Sequence, residues 1–416
     1  MKSKLRILVI SPFYPPYHSG GYELRCHDIM HGLEKRGHII RVISSLLPAE
    51  AFSNSQKEDD IFRVLHLKSQ SHSVNRQVIN DLKDMRFIRR QIRDFKPDLV
   101  YLSHMGDLSN AIIPYLSTLQ IPYLYDEGGR GLMRSFQILQ RGLYFYDNQK
   151  DSHLKVQGKK IITNLIGLFS FGLIKTNTAW PDKMHILVNS HATMQYAIAH
   201  GVPAEYYRVI HSGIDLQRFP LTDRKSLNNI VKILVPGRVV PIKGTIDAVY
   251  LLKELLDQNV PAELLIVGKV VDDVYYKELQ LLIAKLDVAR SVEFVSMTDQ
   301  ENLAQLYQKS DFCFFPSRQM FGLSRVPLEA MASGALVISY GGESSNEVIQ
   351  HNQTGLLVEE GNKAEVADWV VKLVQSQGQH LEIVKNARID VEKNYSLESY
   401  VDQVENYLSL ILDGQQ

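Results

Sequence analysis

The sequence has little of what marks a secreted or membrane-spanning chain. Only two of its 416 residues are cysteine, Cys26 and Cys313. They stand far apart, form no C-x-x-C pair and supply no zinc-ligand set, so a disulfide framework is excluded and a reducing cytoplasm is the expected setting. Charge of one sign is not in excess either: Lys and Arg number 46, and Asp and Glu 46. That balance removes the global positive field that gathers nucleic acid from a distance, and nucleic acid is not an expected partner. Long apolar runs are missing. The longest uncharged stretch, Ile161 to Ile174, lies between Lys160 and Lys175 and is interrupted by Asn164 and Ser170, short of the roughly 20 residues that a spanning helix needs. The basic start, Lys2 to Arg6, followed by ILVIS imitates a secretion signal, but its apolar stretch is only about five residues long. It then meets Pro12, Pro15 and Pro16 and reads as a first buried strand. No solenoid-type repeat recurs.

What is present is a composition able to bury large cores, 45% hydrophobic and 22% charged, on a chain long enough for two or three domains. Short apolar, β-branched runs bounded by Gly, Pro or polar turns alternate with amphipathic stretches, the pattern of a parallel sheet with crossover helices. The fold class is α/β. In the first half strands are expected at 6–11, 38–44, 62–67, 98–104, 122–126, 185–190 and 207–212, with a helix from about Tyr22 to Lys35 ended by Gly37. The second half repeats the grammar at 231–237, 263–268, 292–296, 311–317 and 335–339, a second doubly wound sheet. GIDLQRFPLTDRKSLNN lacks periodicity and is expected to be a linker. The expected domains are therefore 1–213, with a variable insertion at 130–182, and 230–395, joined by 214–229. The amphipathic segment within 396–416 is expected to cross back to the first domain.

Ligands of tandem parallel sheets bind at the carboxyl ends of the strands, so chemistry is sought in the loops that follow them. After the first strand, SPFYPPYHSGGYE places Gly20-Gly21 directly before a helix, whose N–H groups and positive dipole end favour an anion. The pair reads either as a phosphate or sugar contact or as a turn that needs positive φ. VPGRVVPIKG (235–244) puts Arg238 and Lys243 on a loop entering a helix. The two cations either bind a diphosphate, through charge-assisted hydrogen bonds worth roughly 1.5–3 kcal/mol each, or are solvated surface charges. In DFCFFPSRQMFGLSRVPLEAMASGALVIS (311–339), a helix from about Arg325 carries Glu329. That carboxylate either accepts the vicinal hydroxyls of a ribose or complements the helix dipole.

Taken together, GGYE (20–23), PGR-x4-KG (236–244), FG followed by LEAMASG, and GGESSNEVIQHNQTGLLVEEG (341–361) resemble the family 4 retaining glycosyltransferases of GT-B fold, over about residues 5 to 375. NSHATMQYAIAHGVPAEYYRVIHSGIDLQRF (189–219) is similar to the family's bridge between domains, with His211-Ser212-Gly213-Ile214-Asp215 where an Asn-Gly-Val-Asp-like turn is usual. The resemblance implies two Rossmann-like domains facing across a cleft. It implies a glycosyltransferase that uses a nucleoside diphosphate sugar, UDP- or GDP-linked, with no metal or other cofactor. Arg238 and Lys243 would hold the donor diphosphate and stabilise its growing charge, with Gly20 and Gly21 approaching it from the first domain. Phe321, Gly322, Leu323 and Ser324 would contact the donor sugar, Glu329 the ribose, and Met297 would border the base. Asp272-Asp273 is an adjacent pair before a helix, not a D-x-D metal motif.

Two departures qualify this. The family's first acidic residue, eight positions before Glu329, is here Phe321. The equivalent site ahead of FG is Gln319, which hydrogen-bonds a sugar hydroxyl without supplying charge. At the end of the fifth strand Tyr125 replaces a usual His, beside Asp126 and Glu127. Asp126, expected as a catalytic group, or Glu127 would orient the acceptor hydroxyl or the donor sugar; the alternative is an N-terminal charge for the following helix. His104 either faces the same site or is a local hydrogen-bonding residue. The acceptor, a glycan, a lipid-linked or a small-molecule hydroxyl, is expected on the first domain. Residues 155–175 read as a core helix, an acceptor wall, or a contact with the inner membrane surface. The missing acid and His also admit a nucleotide-sugar-binding regulator or partner subunit without transferase activity. A nucleotide-sugar epimerase would need carboxylates and histidines that the sequence does not place.

Overall fold

Near-continuous apolar runs such as RILVI and LVYLS suit strands covered on both faces, and both lie in the interior of parallel sheets. The computed structural model describes residues 4–17, 20–46, 60–71, 73–129, 131, 153–170, 173–174, 184–203, 207–221, 226–296, 298–318, 322–342 and 344–414. They form two compact units, Met1–Ile210 with Val401–Gln416, and His211–Tyr400.

The first unit holds β1 (Arg6–Ile10), β2 (Ile39–Ser45), β3 (Ile61–Leu65), β4 (Leu99–Ser103), β5 (Tyr123–Glu127), β6 (His185–Val188) and β7 (Tyr207–Val209) in the order β3-β2-β1-β4-β5-β6-β7. Every pairing is parallel. Helices Gly21–Lys35, Val74–Phe95 and His191–Ala199 make crossovers. Ser73 and Ser190 cap the last two by accepting from the backbone N–H groups of Arg76 and Thr193. The chain end belongs here too: in helix Leu397–Leu412, Glu405 accepts hydrogen bonds from Arg36 (2.7 Å) and pairs with His38 (3.2 Å).

The second unit holds β8 (Val231–Pro236), β9 (Ala262–Val267), β10 (Val292–Val295), β11 (Phe312–Phe315), β12 (Leu336–Tyr340) and β13 (Leu356–Val358) in the order β10-β9-β8-β11-β12-β13, again all parallel. Both sheets reverse their strand order beside their first strand, between β1 and β4 and between β8 and β11. These are the switch points at which doubly wound sheets take ligands. Strands lie where the apolar runs place them, and β13, three residues long, is one the periodicity did not anticipate. The segment expected as a linker is largely built into the second unit. Ile214 and Phe219 are fully buried, and Ile214 exchanges backbone hydrogen bonds with Tyr395 and Leu397. The apolar residues in a polar stretch therefore serve as core anchors.

Candidate functional site

At the second unit's switch point, β8 runs through Gly237 (φ 137°) to exposed Arg238, and the chain returns to helix Thr245–Asp257 through Lys243 and Gly244. Gly244 sits at φ 66°, and a Cβ there would lie 2.3 Å from the Pro316 carbonyl oxygen, so glycine alone lets this loop pack on the end of β11. The Arg318 N–H donates to Ile242 O at 2.9 Å, a second tie between the same two loops. The Lys243 ammonium lies 5.3 Å from the centroid of the Phe315 ring. Burial and the neighbouring Arg238 guanidinium lower it to about 8. A bound anion opposes this lowering, because an adjacent opposite charge favours the ammonium form.

From the other side of the switch point, helix Arg325–Ser333 begins at Ser324, whose hydroxyl accepts the Val326 N–H. Gly322 and Leu323 are buried, and the Ser344 hydroxyl donates to Gly322 O. Glu329 is 5% exposed; the buried Tyr307 hydroxyl donates to its Oε2 at 3.1 Å, and Arg325 Nε donates to its Oε1 at 3.3 Å. A carboxylate has about four lone-pair sites, so these bonds orient it while leaving acceptor capacity. Gln319, Phe321 and Met297 lie outside the described residues. Asp272 caps helix Asp273–Lys285, accepting from the Val274 and Tyr275 N–H groups. Sequence reasoning missed Asp247. Its buried carboxylate accepts from Arg318 Nη2 (2.6 Å) and the Tyr340 hydroxyl (3.1 Å), with Lys363 Nζ at 3.9 Å, and so steadies the loop after β11. Its partners come from three separate elements, so no local pattern marks it.

In the first unit the carboxyl ends of β4 and β5 bring together His104, Tyr125 and Glu127. Glu127, fully buried, accepts from the Gly129 N–H (2.6 Å) and the Tyr125 hydroxyl (3.2 Å), and its Oε1 lies 3.2 Å from His104 Nδ1. The His104 ring stacks on Tyr22, centroids 4.4 Å apart and planes at 18°. Tyr22 in turn donates to Gly128 O at 2.8 Å, and a Cβ on Gly128 would lie 2.3 Å from the Tyr22 ring. Burial pulls the imidazole pKa down, but the Glu127 carboxylate, and more weakly Glu23, outweigh it, and the net direction is up.

Asp126 does not join this group. Successive strand side chains point to opposite faces, and at 1% exposure Asp126 accepts from Arg25 and from the Tyr101 hydroxyl (2.7 Å). The oxygens of Asp126, expected as a catalytic group, bind Arg25 and Tyr101, and Glu127 takes the position beside His104. Gly20 also differs from the turn reading. Its φ of 175° is ordinary extended backbone, no atom lies within 4 Å of where its Cβ would be, and its N–H donates to Glu23 (3.1 Å). Gly21 is the first residue of the helix.

Residues 223–390 match the family model described as glycosyl transferases group 1, and residues 19–138 match that of glycosyltransferase family 4. The chain is similar to the amylovoran biosynthesis glycosyltransferase AmsK of Erwinia amylovora, 30% identical over 48% of this chain and 49% of the relative. It is similar also to a GDP-mannose-dependent α-(1-6)-phosphatidylinositol monomannoside mannosyltransferase of Mycobacterium tuberculosis, 30% identical over 45% of this chain and 51% of the relative. The match thus spans about half the length of each. Over 97% of the chain the fold matches 99% of Anabaena HepE, crystallised with UDP and glucose, with TM-score 0.67 at 19% identity.

Proposed function

The chain belongs to the glycosyltransferases of family 4, its second unit carrying the group 1 domain, and from that premise we propose that it moves a sugar from a nucleoside diphosphate donor to a hydroxyl acceptor. The donor is UDP- or GDP-linked, the acceptor a glycan, lipid-linked or small-molecule hydroxyl, and the transfer is metal-independent with retention at the anomeric carbon. The mycobacterial relative's name specifies GDP-mannose, and HepE was crystallised with UDP, which supports these two bases. Asp272, occupied as a helix cap, supports the metal-independent reading.

The observation that carries the proposal is the second unit's switch point, where Arg238 and the desolvated Lys243 follow β8 and Glu329 follows β11. As the bond from the anomeric carbon to the diphosphate breaks, negative charge grows on the leaving oxygens, and the two cations stabilise it where it develops. Glu329, held by Tyr307 and Arg325, accepts the ribose hydroxyls with its remaining lone pairs. Gly322, Leu323 and Ser324, with Gln319 and Phe321, contact the sugar, and Met297 borders the base. Gly20, with no atom within 4 Å of where a Cβ would stand, leaves open space at the N-terminus of the helix that Gly21 begins, the form that lets backbone approach an anion. On the acceptor side, His104, fixed through Nδ1 by Glu127 and stacked on Tyr22, presents Nε2 to the acceptor hydroxyl and takes its proton, while the oxygen lone pair forms the new bond to the anomeric carbon.

Titration calorimetry against UDP, GDP, ADP and TDP tests the reading. One diphosphate binds with micromolar affinity, and Arg238→Ala weakens it by about tenfold or more. Absence of binding to all four removes the donor site and the transferase reading with it.

A further inference from the structure

Asp126 is the chain neighbour of Glu127, yet its hydrogen bonds lead away from His104, to the helix Gly21–Lys35. Arg25 of that helix is 3% exposed and donates to Asp126 through Nη2, while the Tyr101 hydroxyl donates to the other carboxylate oxygen at 2.7 Å. Arg25 Nε and Nη1 are buried with no hydrogen-bond partner among the described residues, so there the guanidinium is held from its Asp126 side alone. A cation taken out of water in this way ties its helix to the strand that carries the counterion, because parting the two would leave both charges buried and unpaired. Three residues earlier, and so on the same side of the helix, stands Tyr22. Its hydroxyl donates to Gly128 O at 2.8 Å, two residues beyond Asp126 in the chain. Tyr22 and Arg25 thus grip positions 128 and 126, with Glu127 between them. Among the first six residues of the helix the buried ones are Glu23, Arg25 and Cys26; its apolar anchors, Ile29, Met30 and Leu33, come later. The start of the helix is therefore seated largely by polar ties.

The grip sets the plane of the His104 ring. Tyr22 stacks on the imidazole with centroids 4.4 Å apart and planes at 18°, and a Cβ on Gly128 would lie 2.3 Å from the Tyr22 ring, so that ring is held close against the backbone after β5. With Nδ1 3.2 Å from Glu127 Oε1, the imidazole is fixed at its edge by a carboxylate and across its face by a ring. The contact of two rings depends on their offset and separation. A shift of the helix start would release the face of the imidazole while leaving its bond to Glu127.

We propose that Arg25 and Asp126 are positioning residues for His104: their ion pair latches the start of the helix onto β5 at the setting that keeps Tyr22 over the imidazole. This rests on His104 as the acceptor-side base, but the ring's placement is measured without any transfer.

Proton–carbon NMR of the full chain labelled at histidine tests it. The His104 ring signals are assigned by their loss in H104Q, and Y22L gives their position without the Tyr22 ring current. R25M/D126N removes both charges together, so neither is orphaned, and keeps an acceptor for the Tyr101 hydroxyl. Its His104 signals are expected to move at least half of the way to the Y22L position, while those of His38, His66 and His185, in the same unit, stay in place and show that the fold is kept. R25K, which keeps the charge, should lie nearer the wild type. His104 signals that stay at the wild-type position in R25M/D126N overturn the proposal, and so does an R25K protein displaced as far as R25M/D126N. If R25M/D126N does not fold, D126N is read instead, and an unmoved signal there overturns the proposal equally. Signals that follow the ion pair while H104Q leaves hydrolysis of UDP-glucose and GDP-mannose unaltered keep the latch and remove only the acceptor-side reading of His104.

Discussion

At His104 two effects oppose each other. Burial disfavours the imidazolium, while the adjacent Glu127 carboxylate favours it and prevails, so the folded pKa lies above the ordinary 6.5. A group whose pKa is raised on folding contributes stability that is fully present below the unfolded value and is lost as pH rises through the folded one. His104→Gln is therefore expected to flatten the fall of melting temperature with pH across that window. In transfer, Nε2 must be neutral to accept a proton, so the rate should rise with pH with a midpoint above 6.5. Glu127→Gln removes the anion and moves that midpoint to lower pH; a midpoint that stays in place would detach His104 from the acid limb. Glu329 is the second informative residue, because it serves the fold and the site together. Glu329→Ala leaves the buried Arg325 without its carboxylate, so it should lower the melting temperature as well as weaken nucleotide binding by roughly 1.5–3 kcal/mol. Glu329→Gln keeps an acceptor for Tyr307 and should recover more stability than nucleotide affinity. Equal recovery of both would mean that the ribose is held elsewhere.

The elements that carry the site are the loops after β8 and β11, and their geometry depends on Gly244. Gly244→Ala meets a left-handed φ and the Pro316 carbonyl at once, so it should cost about 1–3 kcal/mol of stability and weaken diphosphate binding by displacing Lys243. Lys243 gives an independent signature. Burial and Arg238 lower its ammonium to about 8, and a bound diphosphate favours the protonated form, so at slightly alkaline pH binding should take up protons. Calorimetry in buffers of different ionisation enthalpy reads this directly, and Lys243→Arg should abolish the uptake while retaining affinity. At this scale the sequence was legible where function follows a strand end, because apolar runs mark strands and loops follow them. It was illegible where one residue decides a face. Asp126 and Glu127 are neighbours in the chain, yet the pleat sends one to Arg25 and the other to His104. Nor does periodicity detect a three-residue strand such as β13, or the contacts that make Ile214 and Phe219 core rather than linker.

For the molecule as a whole, the order of the chain makes the first unit depend on both of its ends. Val401–Gln416 is part of that unit, and the buried Glu405 holds Arg36 and His38, while Arg36 also pairs with Asp402 at 2.7 Å. His38 Nδ1 in turn accepts the Leu5 N–H beside β1, so one carboxylate from the last helix sets a chain of bonds that reaches the first strand. Glu405→Ala breaks that chain. With Asp402 still available to Arg36, the expected loss is about 1–3 kcal/mol rather than the full cost of an orphaned buried charge. The second unit has its own sheet and core and contains the proposed diphosphate ligands, so nucleoside diphosphate affinity should not change. Differential scanning calorimetry with and without the diphosphate separates the two. The transition that the ligand raises should stay where it is in Glu405→Ala, and the other should fall. If both transitions fall together and the affinity drops with them, the units melt as one cooperative body. Nucleotide binding would then be coupled to the closing helix instead of residing in the second unit alone.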